Sequence, residues 1–446
     1  MNDETNQAGF TKIMKLSMKL LPPSPVTATV PLDVRLAAES EAALDFRITV
    51  CRDGEVFAVR HTAGRPVSGG TWQSGTIKLD FSDHPGRYRI LAEAVSPAGK
   101  SFSSAETVLD VLDTPTRSSG LIDGAWCGLY HWSEQEGRLW NPELRRFTAE
   151  DWTGLVYDMH RAGLNVIILQ ELFRNQDYYG KHHIGRQGYA GKAFYPSALF
   201  PGRMPVACAD PVEAIMAAAD ECSMAVLPGV GMYAWFDFTA GSLDWHRQIA
   251  AELWQRYGHH RSFYGWYISE EVFGNLHYGK NTAEEIVTFF REFREWKNRF
   301  DPTLPVMLAP NCFGVPAARA HWEKLAAELD IICPFGFHRM PPEDIGPEKA
   351  IALFQEIADA NGAHLWLDME IFLFTDDQAL YPRPLEQIIG ELASFTGFEK
   401  ILCYQYPGLM NAPDARLQPG GASTVKLYDD YLNYYKSRMK QIYNNQ

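Results

Sequence analysis

From position 125 to the C-terminus the chain repeats one rhythm eight times: a short apolar run, then a stretch of helical periodicity. The apolar runs lie at 125–130, 165–170, 225–232, 263–271, 306–311, 331–337, 365–371 and 401–406. Helical stretches begin near Thr148, Asp210, Leu243, Thr282, Ala318, Pro347, Pro384 and Ser423. A short, continuously apolar run bounded by turn residues reads as a strand buried on both faces. Parallel strands need a crossover between them, and eight strand–helix units indicate a (β/α)8 TIM barrel more than an open sheet. No Gly-x-Gly-x-x-Gly follows the first run, which weakens the doubly wound alternative.

Helix starts carry their own signals. Asp210-Pro211-Val212-Glu213 supplies an N-cap acid, proline at the first helical position and glutamate at the third. Thr282-Ala283-Glu284-Glu285 is a capping box, and Thr148-Ala149-Glu150-Asp151 is a near miss with Asp for Glu. The 284–297 segment places Ile286, Phe289, Phe290 and Phe293 on one helical face.

Ahead of the barrel the rhythm differs. Residues 26–112 alternate polar and apolar with turns every ten or so residues, as at 44–50, 76–81, 86–95 and 104–111. That pattern predicts a small all-β immunoglobulin-like sandwich. Lys12, Lys15 and Lys19 break the apolar pattern of residues 1–25, which read as a flexible leader rather than a signal peptide. Residues 113–120 read as a linker, and 120–446 as the barrel and catalytic domain.

Composition excludes several function classes. The 446 residues carry a net charge of −14, which argues against nucleic acid as a partner. No apolar run is long enough to span a membrane, and the cytoplasm is the default compartment. The seven cysteines form no CxxC pair, so neither a disulfide framework nor zinc is expected. The pairs His182-His183 and His259-His260, being adjacent, are expected to point apart, and no metal or cofactor is predicted. Most of the 12 Trp, 20 Tyr and 25 Phe are expected to fill the core, while the Trp and Tyr near strand ends also suit a cleft that stacks on sugar rings.

Two apolar runs finish on acids: 262–271, ending Ser269-Glu270-Glu271, and 364–370, ending Asp368-Met369-Glu370. A buried carboxylate must be paired or must shift its pKa. In a barrel these acids fall at the C-terminal ends of strands four and seven, where barrel enzymes keep their working residues. Two carboxyls facing each other across the mouth are what glycosidic cleavage requires, about 5–5.5 Å apart for retention and 6.5–9.5 Å for inversion. Within each cluster, alternation aims Glu270 away from Glu271, while Asp368 shares a side with Glu370 and is the rival nucleophile.

Trp266-Tyr267-Ile268-Ser269-Glu270-Glu271 is similar to the Trp-x-Ile-x-Asn-Glu strand of the retaining-glycosidase clan GH-A. Leu367-Asp368-Met369-Glu370 resembles the strand that carries the clan's nucleophile. The resemblance implies Glu271 as acid/base and Glu370 as nucleophile. Glu270 stands where the clan has an Asn that hydrogen-bonds the sugar, and an extra carboxylate there would raise its neighbour's pKa or contact a different hydroxyl pattern. Gly265-Trp266-Tyr267-Ile268, Phe194-Tyr195-Pro196-Ser197 and the preceding sandwich together resemble an uncharacterised glycosidase-like family, catalogued as a domain of unknown function, over about residues 120–440.

Other strand ends supply expected substrate contacts: Trp126 and Trp132 around strand one, Gln170 and Glu171 after strand two, and Tyr233 and Trp235 after strand three. Asn311 ends strand five, His338 follows strand six, and Tyr404, Gln405 and Tyr406 end strand eight. The long 173–200 loop, with Tyr178, Tyr179, His182, His183, Tyr189 and Tyr195, is expected to shape the cleft. Other barrel chemistries lack their marks: strand one offers Tyr130-His131-Trp132 rather than His-x-His, and strands three and five lack the acids that would hold magnesium. The expected partner is a carbohydrate, and the expected activity is glycoside hydrolysis. The competing reading is a catalytically inactive carbohydrate-binding barrel.

Overall fold

The computed structural model describes residues 15–67, 69–130, 140–170, 172–174, 191–231, 236–277, 281–377 and 379–444. The chain forms two compact units, one ending at Leu112 and including Lys297–Leu304, the other Asp113–Trp296 with the chain from Pro305 onward.

The first unit is an all-β sandwich. Leu16–Leu21, Leu32–Glu39, Thr71–Leu79 and Arg65–Pro66 form a four-stranded sheet. Val26–Thr27, Ser101–Leu112, Gly86–Val95, Asp45–Arg52 and Glu55–Ala63 form a five-stranded one. Leu32, Val34 and Leu36 of the first sheet share one buried cluster with Phe46, Ile48, Ile90 and Leu109 of the second. Asp53 and Gly54, both at positive φ, close the Arg52↔Glu55 hairpin in the conformation that favours an Asp-Gly pair. Leu16–Leu21, read from sequence as flexible leader, is a strand paired with Leu32–Glu39. A strand needs only every second residue apolar, so Leu16, Met18 and Leu20 face the core despite Lys19.

The second unit is a closed barrel of eight parallel strands. In chain order these are β1 (Gly124–Cys127), β2 (Val166–Leu169), β3 (Ala225–Val230), β4 (Trp266–Val272), β5 (Val306–Pro310), β6 (Ile331–Ile332), β7 (His364–Glu370) and β8 (Lys400–Tyr404). The helices are α1 (Ala149–Arg161), α2 (Pro211–Cys222), α3 (Ala240–Tyr257), α4 (Ala283–Lys297), α5 (Arg319–Ala326), α6 (Pro347–Asn361), α7 (Leu385–Ser394) and α8 (Ala422–Asn444). None is long and apolar enough to cross a membrane among the described residues.

Local chemistry explains the element ends. Asp151 completes the box at the start of α1: the Thr148 N–H donates to its carboxylate at 2.7 Å, and its own N–H reaches Thr148 Oγ1 at 3.4 Å. Asp therefore serves where Glu was expected. Glu285 does the same for Thr282 at 2.7 Å. The apolar face of α4, Ile286, Phe289, Phe290 and Phe293, is fully buried. Strand β6 stops at Ile332, short of the expected 337. Pro334 lacks an N–H for the ladder, and Gly336, at φ +88°, turns the chain into the short 3-10 helix Phe337–Arg339. That early stop brings His338 and Arg339 over the barrel mouth.

Candidate active site

The mouth of the barrel holds a cleft lined from β4 by Tyr267, Ser269 and Glu271, and from β7 by Asp368 and Glu370. The two-residue period of a strand delivers each set. Between Ile268 and Val272 the register of β4 against β5 shifts, the kind of bulge that re-aims a strand-end side chain. Glu271 sits on it.

The two glutamates titrate in opposite directions. Burial pushes the Glu271 carboxyl up to about 7; Arg339 opposes the rise and the Glu370 charge adds to it. Burial alone would also raise Glu370, but His338 and Arg339 reverse it, leaving the carboxyl below its ordinary 4.5. Arg339 Nε donates to Glu370 Oε1 at 2.9 Å, and its Nη2 donates to the same oxygen. His338 Nδ1 lies 2.8 Å from Oε2. Arg383 fixes the strand end by donating to the Glu370 carbonyl at 2.7 Å and to Glu391 at 2.6 Å. At neutral pH the cleft thus holds an ionised Glu370 and a Glu271 poised to give up or keep its proton.

Beneath them, burial and the neighbouring Glu370 charge push Asp368 well above the usual carboxylate range. The ionised form that a nucleophile needs is therefore disfavoured at Asp368 relative to Glu370. Asp368 Oδ1 and Ser269 Oγ are buried and have no hydrogen-bond partner among the described residues. Polar atoms stranded in this way are costly, and both line the cleft. Trp126 packs edge-on against Tyr267 at 5.8 Å. Gln170 and Tyr404 complete the polar lining.

Other expected site residues are placed elsewhere. Glu270 points outward, as alternation requires: its Oε2 accepts the Phe236 N–H at 2.6 Å, and Oε1 lies 3.7 Å from His246 Nε2. Burial holds His246 down at about 4, so it is neutral. Gly231, at φ +146°, leaves space for this pair, because a Cβ there would meet His246 Nε2 at 2.9 Å. Asn311 spends its Oδ1 on the N–H groups of Gly274 and Phe313, at 3.0 and 3.1 Å. Gln405 accepts from the Gly128 N–H at 3.3 Å. Tyr406 is buried against Tyr428. Tyr195 is buried too and donates to Glu252 at 2.7 Å. Glu171, Trp132, Tyr233, Trp235, Tyr178, Tyr179, His182, His183 and Tyr189 lie outside the described residues.

Several cleft residues were not anticipated from sequence. Arg339 is the most consequential, and its signal was its place directly after His338. Trp140, Phe335, Phe372, Phe374 and Leu380 form apolar walls. Phe372–Phe374 and Leu380–Pro382 make an antiparallel hairpin that begins two residues after Glu370, and Phe374 is 45% exposed. A short apolar hairpin directly after a strand-end acid was the readable cue. The adjacent pair His259-His260 does not splay apart as expected. The two residues occupy a turn, where strand alternation does not apply, and their ring centroids are 4.1 Å apart.

No curated protein matches the sequence. Among solved structures, a candidate alpha-L-fucosidase from Bacteroides thetaiotaomicron is 18% identical, with a TM-score of 0.52 over 72% of this chain and 95% of that one. At that identity the likeness extends to the fold. A beta-glucuronidase of Bacteroides uniformis is 13% identical, with a TM-score of 0.41 over 94% of this chain, which spans 50% of that enzyme. A beta-D-glucuronidase for Dictyoglomus thermophilum is also 13% identical, with a TM-score of 0.40 over 96% of this chain and 69% of that one. The model of the domain of unknown function DUF4434 matches residues 122–417, the greater part of the barrel unit, and the chain belongs to that family.

Proposed function

We propose that the cleft hydrolyses glycosidic bonds with retention, Glu271 serving as acid/base and Glu370 as nucleophile. The observation that carries this reading is the split titration of two glutamates in one cleft, one raised to about 7 and one held ionised. Pairs of acids whose surroundings push their pKa values apart divide into proton donor and nucleophile. Glu271 gives its proton to the glycosidic oxygen as Glu370 attacks the anomeric carbon and the aglycone leaves. Forming the Glu370 ester removes the negative charge that helps raise Glu271, so Glu271 becomes the base that deprotonates the incoming water.

The substrate class follows from the lining. Trp126, Trp140 and Tyr404 offer flat apolar surface to a ring, while Ser269 Oγ, Asp368 Oδ1 and Gln170 offer hydrogen bonds to hydroxyls. A glycoside or oligosaccharide satisfies both. The test is a screen of aryl glycosides and oligosaccharides with the wild type, Glu271→Gln and Glu370→Gln. Cleavage by the wild type is expected, with Glu271→Gln slower by about 10²–10⁴-fold. Full activity in both folded variants would overturn the assignment. Sugar-dependent stabilisation without any cleavage would instead establish a binding barrel.

A further inference from the structure

Outside the cleft, α2 and the turn joining α3 to β4 bring together Glu213, Asp220, His259 and His260. His260 is buried between two carboxylates: Nδ1 lies 2.8 Å from Asp220 Oδ2, and Nε2 lies 3.2 Å from Glu213 Oε2. His259 lies beside it, the two rings tilted by 37°, and is exposed. One donor atom each from Glu213, His259 and His260 falls within 4.8 Å of the others.

We propose that Glu213, His259 and His260 form a binding site for a borderline transition-metal dication of the zinc class, with Asp220 as the residue that orients His260. Three features support it. A histidine whose Nδ1–H is directed at a carboxylate presents an Nε2 lone pair outward, which is how metal-binding histidines are commonly fixed. Zinc bonds of about 2.0–2.2 Å put neighbouring ligand atoms roughly 3.2–3.5 Å apart, and the His260–Glu213 separation is already 3.2 Å. Two imidazoles and one carboxylate suit zinc, cobalt or nickel, whereas magnesium and calcium take oxygen ligands.

Asp220 is itself held rigidly. It accepts the Ser262 N–H at 2.7 Å, and Arg261 donates to its backbone carbonyl at 2.9 Å. Glu213 and His259 are exposed, so closing the remaining distance requires only side-chain rotation. Three protein ligands leave a fourth position for water. A bound ion would tie α2 to the turn that leads into β4, the strand carrying Glu271. None of the four residues lines the cleft, so the site stands apart from the proposed chemistry.

A protonated His260 bridging two carboxylates would show the same two distances, but it would make no use of His259. The test therefore titrates Zn²⁺ into the full chain, free of any polyhistidine tag and stripped with chelator, by calorimetry and thermal melting. One saturable equivalent and a rise in melting temperature are expected, and Mg²⁺ should produce neither. His259→Ala and Glu213→Gln, both at exposed positions, should each weaken Zn²⁺ binding at least tenfold, and Asp220→Asn by about 10–100-fold. Absence of stoichiometric binding by the wild type, or wild-type affinity in His259→Ala and Glu213→Gln, would overturn the proposal.

Discussion

Replacing Glu271 with Gln should change the pH dependence of stability in a way that isolates this one carboxyl. In the folded chain burial raises Glu271 from its ordinary 4.5 to about 7. The folded state therefore binds this proton more tightly than the unfolded state does. Its contribution is fully present below pH 4.5, declines as pH rises through the interval to about 7, and is absent above it. At about 1.4 kcal/mol per pKa unit, ionising Glu271 in place costs the fold on the order of 3 kcal/mol at pH 8. Gln has nearly the same shape and never ionises. The variant should match the wild type at pH 4.5 and exceed it by about 3 kcal/mol at pH 8. Urea unfolding at both pH values, followed on the barrel transition by tryptophan fluorescence, gives the difference directly. Glu370 titrates in both proteins, so most of its effect cancels. A difference that does not change with pH, or one that favours the wild type at pH 8, would refute the reasoning.

Further expectations follow from the same groups. Activity should fall as pH rises through about 7, when Glu271 loses the proton that the leaving group needs. Arg339→Met removes a charge that holds both Glu271 and Glu370 down; both limbs of the pH–rate profile should move to higher pH, with the maximum reduced about tenfold or more. Asp368→Asn should raise the melting temperature at pH 8, because burial and the Glu370 charge penalise an ionised Asp368 that Asn does not carry. It should also cost far less activity than Glu370→Gln, and equal losses would restore Asp368 as the nucleophile. Glu270→Ala leaves the buried Phe236 N–H without its 2.6 Å acceptor; urea unfolding should show a loss of about 1–3 kcal/mol, with the pH limb near 7 unmoved.

The barrel was legible because its signal is long and redundant. Eight apolar runs, each followed by a helical stretch, leave little freedom once parallel strands must be joined by crossovers. That Glu271 lines the cleft and Glu270 does not was equally readable, since it depends only on a strand's two-residue period. Arg339 was not, because its position depends on where β6 stops, which Pro334 and Gly336 decide through backbone geometry. The uses made of Asn311 and Gln405 were hidden for a related reason: both bond to backbone N–H groups that include ones distant in sequence, those of Gly274 and Gly128. His259-His260 misled because an alternation rule for strands was applied to a turn. The leader misled in the opposite sense, its lysines obscuring the alternation of Leu16, Met18 and Leu20.

The central claim is that Glu271 and Glu370 act as a retaining pair. Once the glycoside screen yields a substrate, anomer-resolved proton NMR of the first product formed tests it most directly. The account predicts a product with the substrate's own anomeric configuration, formed by the wild type and lost in Glu370→Gln. An inverted first product, or retention that persists at full rate in folded Glu370→Gln, would contradict it.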